Sequence, residues 1–253
     1  MRLMLYNVRY CAGTGGRFHF PFPLSGYLKR SGNQLGRITE FIGSQHPDIV
    51  GLVEVDAGSY RSLRRNQASH IAAALGHYHV DAVKYGLRSW ARLLPVLNKQ
   101  SNAFLSSDVI RDKRFHYFDR GMKRLVIELE LDRLTVFLVH LSLKFRQRHA
   151  QLSDLYAMVK ETTKPVIVAG DFNVLWGDAE IDLFLAATGL RSANREGWRS
   201  YPSWAPRRQL DFVLYGPGIQ LTHFAMPQVT YSDHLPLVCD FELEGAPTAD
   251  VPV

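Results

Sequence analysis

Cysteine is scarce: the 253 residues contain two, Cys11 and Cys239, at opposite ends of the sequence. That spacing excludes a disulfide framework and a Cys-based metal motif, and it favours a reducing, cytoplasmic compartment. Long apolar runs are lacking too. No window approaches the roughly 20 apolar residues that a membrane-spanning helix needs. The opening MRLMLYNVRY returns to charge at Arg9 with no cleavage-type segment, so it reads as a first strand rather than a signal peptide. There is no low-complexity linker and no repeat at a solenoid period. The expectation is therefore one domain over residues 1–244, with the Pro-containing segment from Gly245 (GAPTADVPV, to residue 253) a disordered tail.

What is present is the composition of a globular protein, 46% hydrophobic and 21% charged. Thirty Lys and Arg stand against 24 Asp and Glu, a formal +6. This surplus favours a polyanionic partner: nucleic acid, a phosphorylated metabolite or an anionic lipid surface. Strand-like runs occur at Leu3 to Val8, Ile49 to Val53, Leu125 to Leu131, Thr135 to Leu141, Val166 to Ala169, Phe212 to Tyr215 and Leu237 to Phe241. Between them, apolar spacings of three and four predict helices around Ile38 to Ile42, Leu63 to Leu75, Leu152 to Val159 and Ile181 to Leu185. Two segments break the alternation, Cys11 to Gly36 and Gly197 to Leu210; both are rich in Pro, aromatic residues and Arg, and loops of this kind in compact domains are commonly functional.

Polar residues gather at the strand ends, where open α/β sheets place their sites. Asn7 closes the first strand and Glu54 follows IVGLV. His140 lies in TVFLVHLSL, Asp171 and Asn173 lie in GDFN after VIVA, Asp211 opens DFVL, and Asp233 with His234 precedes LPL. Singly, each has an ordinary explanation as a cap, a turn or a buried polar residue. Together they form a set with one chemistry. Asn7, Glu54, Asp171, Asn173 and Asp233 offer oxygen donors of the kind that hold Mg²⁺ or Mn²⁺. Two histidines can move protons near neutral pH, and Asp211 can orient one of them. Phosphoester hydrolysis needs a cation against the phosphate, a base for water and an acid for the leaving oxygen.

The blocks YNVR (6–9), PDIVGLVEVD, SNAFLS (101–106), RGMKRLVIEL, VHLSL, VAGDFNV, YPSWAPRRQLDFVL and SDHLPL (232–237) resemble, in order and spacing, the endonuclease/exonuclease/phosphatase superfamily. That superfamily includes deoxyribonuclease I, exonuclease III type nucleases, bacterial sphingomyelinases and inositol polyphosphate 5-phosphatases. The resemblance implies an α/β (α+β) fold: a four-layer α/β/β/α sandwich of two packed mixed sheets with helices outside. It implies Glu54 as principal metal ligand, with Asn7 and Asp233 contributing, and Mg²⁺ or Mn²⁺ as cofactor. Asp171 would deprotonate the attacking water and Asn173 would stabilise the transition state. Asp211 would hold His234 against the scissile phosphate, and His140 would protonate the leaving oxygen. The chain departs from the deoxyribonuclease I pattern in offering no acidic partner for His140.

The resemblance leaves the substrate open between nucleic acid, which the charge favours, and a lipid or small phosphoester; a non-catalytic binding module is the reading from another class. Asn102 in SNAFLS matches a position near the substrate phosphate, and Arg207 and Arg208 are placed to reach a further phosphate. Further basic residues (Lys29, Arg30, Arg88, Arg92, Arg120, Lys123, Arg124, Lys144, Arg146, Arg148) and the aromatics Phe18, Phe20, Phe22, Tyr201 and Trp204 flank the matched blocks. Such pairings suit single-stranded bases or a lipid interface.

Overall fold

The computed structural model describes residues 1–14, 33–84, 94–119, 125–175 and 179–245. Lys29, Arg30, Arg88, Arg92, Arg120, Lys123, Arg124, the three Phe of 18–22 and nearly all of the tail lie outside them. Among the described residues, twelve strands form two six-stranded sheets. The first contains β1 (Arg2–Asn7), β2 (Ile49–Asp56), β3 (Tyr78–Val83), β4 (Gln100–Ser106), β11 (Ile219–Ala225) and β12 (Leu237–Leu243). Its order is β11-β12-β1-β2-β4-β3. The second contains β5 (Asp112–Tyr117), β6 (Leu125–Glu130), β7 (Thr135–His140), β8 (Val166–Asp171), β9 (Arg191–Ser192) and β10 (Asp211–Tyr215), in the order β5-β6-β7-β8-β10-β9. Each sheet has a single parallel pair among the described strands, β1 with β2 and β7 with β8, and every other pairing is antiparallel. A parallel pair needs a long crossover. Here α1 (Gln34–Ser44) lies on the first crossover and α3 (Phe145–Glu161) on the second.

Strand period explains the layers. In β1, Leu3 and Leu5 point into an apolar layer shared with Leu125, Ile127, Leu138, Ile167 and Val213 of the second sheet. Met4 and Tyr6 point the other way, onto Ile38 and Ile42 of α1 and Ile71 of α2 (Gln67–Leu75). The second sheet repeats this arrangement: Val126, Phe137 and Val168 face Leu152, Leu155 and Val159 of α3, and Ile181 and Phe184 of α4 (Ala179–Thr188). Strands buried on both faces therefore read as continuous apolar runs. Full burial of each such side chain contributes about 1.5–3 kcal/mol. The sheets approach closely at Gly51, where an added Cβ would stand 3.1 Å from Leu138 Cδ1.

The four-layer sandwich is the fold the resemblance implies. The apolar runs locate seven of its strands; β3, β4, β5, β9 and β11 are additions. β3, β5 and β11 have a solvated face, so their apolar residues are interrupted: β5 reads DKRFHY and is largely exposed. The second helix starts at Gln67 rather than Leu63. Leu63 and Arg64 take left-handed φ of 55° and 61°, and the Asn66 side chain caps the helix by accepting from Ser69 N at 3.2 Å. Among the described residues, no helix is long and apolar enough to cross a membrane.

Candidate active site

The polar strand ends of both sheets meet at one end of the sandwich. Asn7 ends β1, and its amide Nδ2 donates across to Asp171 Oδ2 at 3.1 Å, while its Oδ1 accepts from Arg9 N at 3.1 Å. Arg9, Tyr10 and Cys11 then run through left-handed φ of 45°, 55° and 54°. Each such residue costs of order 1–3 kcal/mol unless its surroundings hold it, and buried contacts here do so. Gln67 Nε2 donates to Tyr10 O at 2.8 Å, and the Arg61 guanidinium lies 4.1 Å from the Tyr10 ring centroid. Arg61 is in turn paired at 2.9 Å with Asp56, which also accepts from Ser59 and Ser62. Asp56, the last residue of the VEVD string, is thus a structural anchor beneath the site.

Glu54 is presented by a bulge. The β2–β4 register shifts between Leu52 and Val55, Glu54 takes φ 58°, and its N–H donates to Asn102 Oδ1 at 3.2 Å. A bulge of this kind re-aims a side chain that a regular strand would bury or expose. Asn102 itself is 1% exposed, and its Nδ2 has no hydrogen-bond partner among the described residues. A buried unsatisfied donor beside Glu54 is a ready place for an anionic oxygen.

His140 ends β7 and is 1% exposed. Its Nε2 lies 3.3 Å from Asp171 Oδ2 and 3.9 Å from Glu54 Oε1. Next to it, Gly170 lets β8 approach β7, since a Cβ there would strike the Val139 carbonyl oxygen. Asp171 Oδ1 accepts from Asn173 N at 3.0 Å, and Asn173, at φ 53°, donates from Nδ2 to Leu141 O at 2.9 Å. Asp211 sits opposite Asp171 in the β8–β10 register. Its Oδ2 accepts from Ser200 Oγ at 2.6 Å and lies 2.7 Å from His234 Nδ1; its buried Oδ1 has no partner among the described residues. Burial opposes a charge on His234, but the Asp211, Asp171 and Asp233 carboxylates outweigh it and hold the imidazolium up to about 10. Asp233 is 3.4 Å from Arg9 Nε, and the Tyr201 ring lies 4.9 Å from that of His234.

All the residues expected to carry chemistry are therefore at this end. Arg207 and Arg208 are exposed on a turn whose N–H groups donate to Tyr201 O at 2.8 and 2.9 Å. Burial and Asp233 push the Tyr201 phenol up, while Arg9 and Arg208 oppose that shift, which puts Arg208 within electrostatic reach of the cleft. Pattern alone misses Ser200, Tyr10 and Lys84. Lys84, just past β3, has Nζ 3.3 Å from His140 Nδ1 and 3.7 Å from Glu54 Oε1. No motif marks it; only the pairing of β3 with β4 brings it there.

A divalent ion fits the donor set. Asp171, Asp211 and His234 present ligand atoms within 4.8 Å of one another. His234 Nδ1 is committed to Asp211, however, so that trio is a hydrogen-bonded dyad beside one carboxylate. By donor type, the amide and carboxylate oxygens of Asn7, Glu54 and Asp233 are the better match for a hard cation.

A sequence model described as the endonuclease/exonuclease/phosphatase family matches residues 4–234. The chain belongs to this family. Members are typically hydrolytic on phosphoesters and generally use a divalent metal. A UPF0294 protein of Vibrio parahaemolyticus is 27% identical over 117 residues, which are 44% of this chain and 39% of that protein. The human Nocturnin catalytic domain with bound sulfate superposes with a TM-score of 0.68 at 20% identity, covering 96% of this chain and 94% of that one. The Bacteroides thetaiotaomicron mannosyl-6-phosphatase gives 0.69 at 15% identity, covering 96% and 100%. At these identities the likeness is one of fold.

Proposed function

We propose that residues 1–244 form a catalytic domain that hydrolyses phosphodiesters of nucleic acid with Mg²⁺, or Mn²⁺ in its place. The observation that carries this reading is the convergence of Asp171, the Asp211–His234 dyad and His140 Nε2 at one end of the sandwich. Asn7, Glu54 and Asp233 would hold the cation, which supplies a positive charge against the phosphate. Asp171, aligned by Asn7 and by Asn173 N, takes the proton of the attacking water. His234, kept cationic by Asp211, contacts a phosphate oxygen, and Asn173 and the spare Asn102 N–H donate to the oxygens of the transition state. His140 presents Nε2 to the leaving oxygen. Arg207 and Arg208 take a neighbouring phosphate of a polymeric substrate. The buried free thiols of Cys11 and Cys239 support a cytoplasmic setting.

A second substrate reading rests on Leu143 and Phe145, which are 50% and 55% exposed beside Lys144 and Arg146, just beyond His140. This combination suits an anionic lipid surface. A metal-supplemented screen over DNA, RNA, sphingomyelin and inositol phosphates separates the readings. Activity on nucleic acid that weakens steeply with salt supports the first; activity confined to lipid or inositol phosphate reverses the order. Asp171→Ala is expected to lower kcat at least ~10³-fold, the scale of losing a catalytic base. Equal rates for wild type and variant would leave a binding module as the reading.

A further inference from the structure

His140 has the Asp171 and Glu54 carboxylates toward Nε2, and toward Nδ1 it has a lysine. Lys84 follows β3, donates its backbone N–H to Gln100 O at 2.8 Å, and has a side chain only 4% exposed. Its Nζ lies 3.1 Å from the Tyr10 hydroxyl, 3.3 Å from His140 Nδ1 and 3.7 Å from Glu54 Oε1. An ammonium has three N–H donors and no acceptor. The Tyr10 hydroxyl and His140 Nδ1 lie within hydrogen-bond distance of it, and a nitrogen that faces an ammonium is the bare, accepting one. The ring proton lies on Nε2, the nitrogen that is 3.3 Å from Asp171 Oδ2 and 3.9 Å from Glu54 Oε1. Turning the ring over would set Cδ2 against the ammonium and Cε1 against Asp171, losing both contacts.

We propose that Lys84 is a positioning residue that fixes His140 as its Nε2–H tautomer and aims that N–H into the cleft. The proposal rests on the phosphoesterase reading for its purpose but on geometry for its content. An aspartate or glutamate facing Nδ1 would draw the proton to Nδ1 and leave Nε2 bare; an ammonium does the opposite. The left-handed turn at residues 9–11 gains a use from this. It sets the Tyr10 hydroxyl where Lys84 can donate to it, and Arg61, paired with buried Asp56, packs its guanidinium against the Tyr10 ring. The second-sheet histidine is thus oriented by a lysine from the first sheet.

The test is the ring itself. With ¹⁵N-labelled histidine in the metal-free full chain, long-range ¹⁵N–¹H correlation distinguishes a protonated ring nitrogen from a bare one. The His140 signals are identified among the ten histidines by their loss in His140→Gln. At a pH where the ring is uncharged, the wild type is expected to show Nε2–H with bare Nδ1; Nδ1–H, or an averaged pair, overturns the proposal. Lys84→Arg should keep that state. Lys84→Met should mix the tautomers and lower kcat roughly 10–100-fold, the range for groups that orient a functional histidine, with KM little changed; an unchanged tautomer in this variant would also overturn it. The wild-type measurement stands even if Lys84→Met fails to fold. A chain that hydrolyses no phosphoester yet shows Nε2–H loses the proposed function and keeps the role of Lys84.

Discussion

The two sheets repeat one pairing scheme strand for strand, with β1, β2 and β4 in the first occupying the places of β7, β8 and β10 in the second. The equivalent ends carry different chemistry. Asn7 corresponds to His140, and Glu54, one residue past the register place of Asp171, is brought up by the bulge beside Asn102, as Asp171 stands beside Asp211; the first sheet thus offers amides and one carboxylate where the second offers an imidazole and two carboxylates. The architecture supplies paired platforms at one end of the sandwich, and the side chains divide the work. The two histidines carry the contrast further. His234, on the approach to β12 of the first sheet, stands against Asp211 of the second at 2.7 Å; His140 of the second stands against Lys84 of the first at 3.3 Å. Each is oriented from the opposite sheet, one by an anion and one by a cation.

Unequal shares at equivalent positions are the strongest way to break this comparison. Asp211→Asn removes the anion from His234 and is expected to lower kcat roughly 10²–10⁴-fold, as losing a triad carboxylate does. The pH dependence of stability in the metal-free protein should change with it. A raised histidine stabilises fully below its ordinary 6.5 and ceases to do so as pH rises through about 10. The stability gap between wild type and variant, measured by denaturant unfolding, should therefore be full below about pH 6.5 and close by about pH 10. Equal stability at every pH would mean that Asp211 does not hold the charge.

Asn102→Ala, the counterpart on the first sheet, should cost less, roughly 10–100-fold in kcat/KM, the worth of a hydrogen bond to a charged group. A loss as large as that of Asp211→Asn would erase the distinction between the sheets. His140→Ala, which removes the neutral Nε2–H that donates a hydrogen bond to the leaving oxygen, should slow esters with poor leaving groups by roughly 10–100-fold and activated aryl esters less; similar losses on both would remove His140 from the leaving oxygen.

The smallest effect concerns the opposite end of the first sheet. Arg2 holds Asp240 at 2.6 Å and, chiefly through that hydrogen bond, keeps its carboxyl below the usual 3.8. A depressed carboxylate stabilises above its unfolded value and loses that contribution as pH falls through the folded one. Arg2→Gln should lower stability by no more than about 1 kcal/mol near neutral pH, and the difference should fade below about pH 4 and in high salt. A larger loss would mean that this end of the sandwich depends on its ion pair as the cleft does.

The core of the sandwich could be read from the sequence because its central strands are buried on both faces and leave unbroken apolar runs, as in LMLYN and VIVAG. The outer strands could not: DKRFHY of β5 and IQLTHFA of β11 keep one face in solvent, and only pairing to a neighbour makes them strands. At the site, Asn7, Glu54, Asp171 and His234 stand out because each interrupts or follows an apolar run in a recognisable string. Asp56 stands out equally, yet it is tied to Arg61 under the turn at residues 9–11.

By itself the sequence determined the inventory: which chemical groups sit at the ends of buried strands, and, through motif order, the family and its four layers. Tertiary structure decided the partners. Lys84 has no signature because a lysine after YHVDAV is ordinary until antiparallel pairing with β4 carries it beside β7, 56 positions away in the chain. Ser200 is likewise unremarkable until the loop after Gly197 folds back and gives its hydroxyl to Asp211. A strand's burial is written locally, in its own period of two, whereas the charge facing a histidine depends on which distant segment the packing of two sheets sets against it.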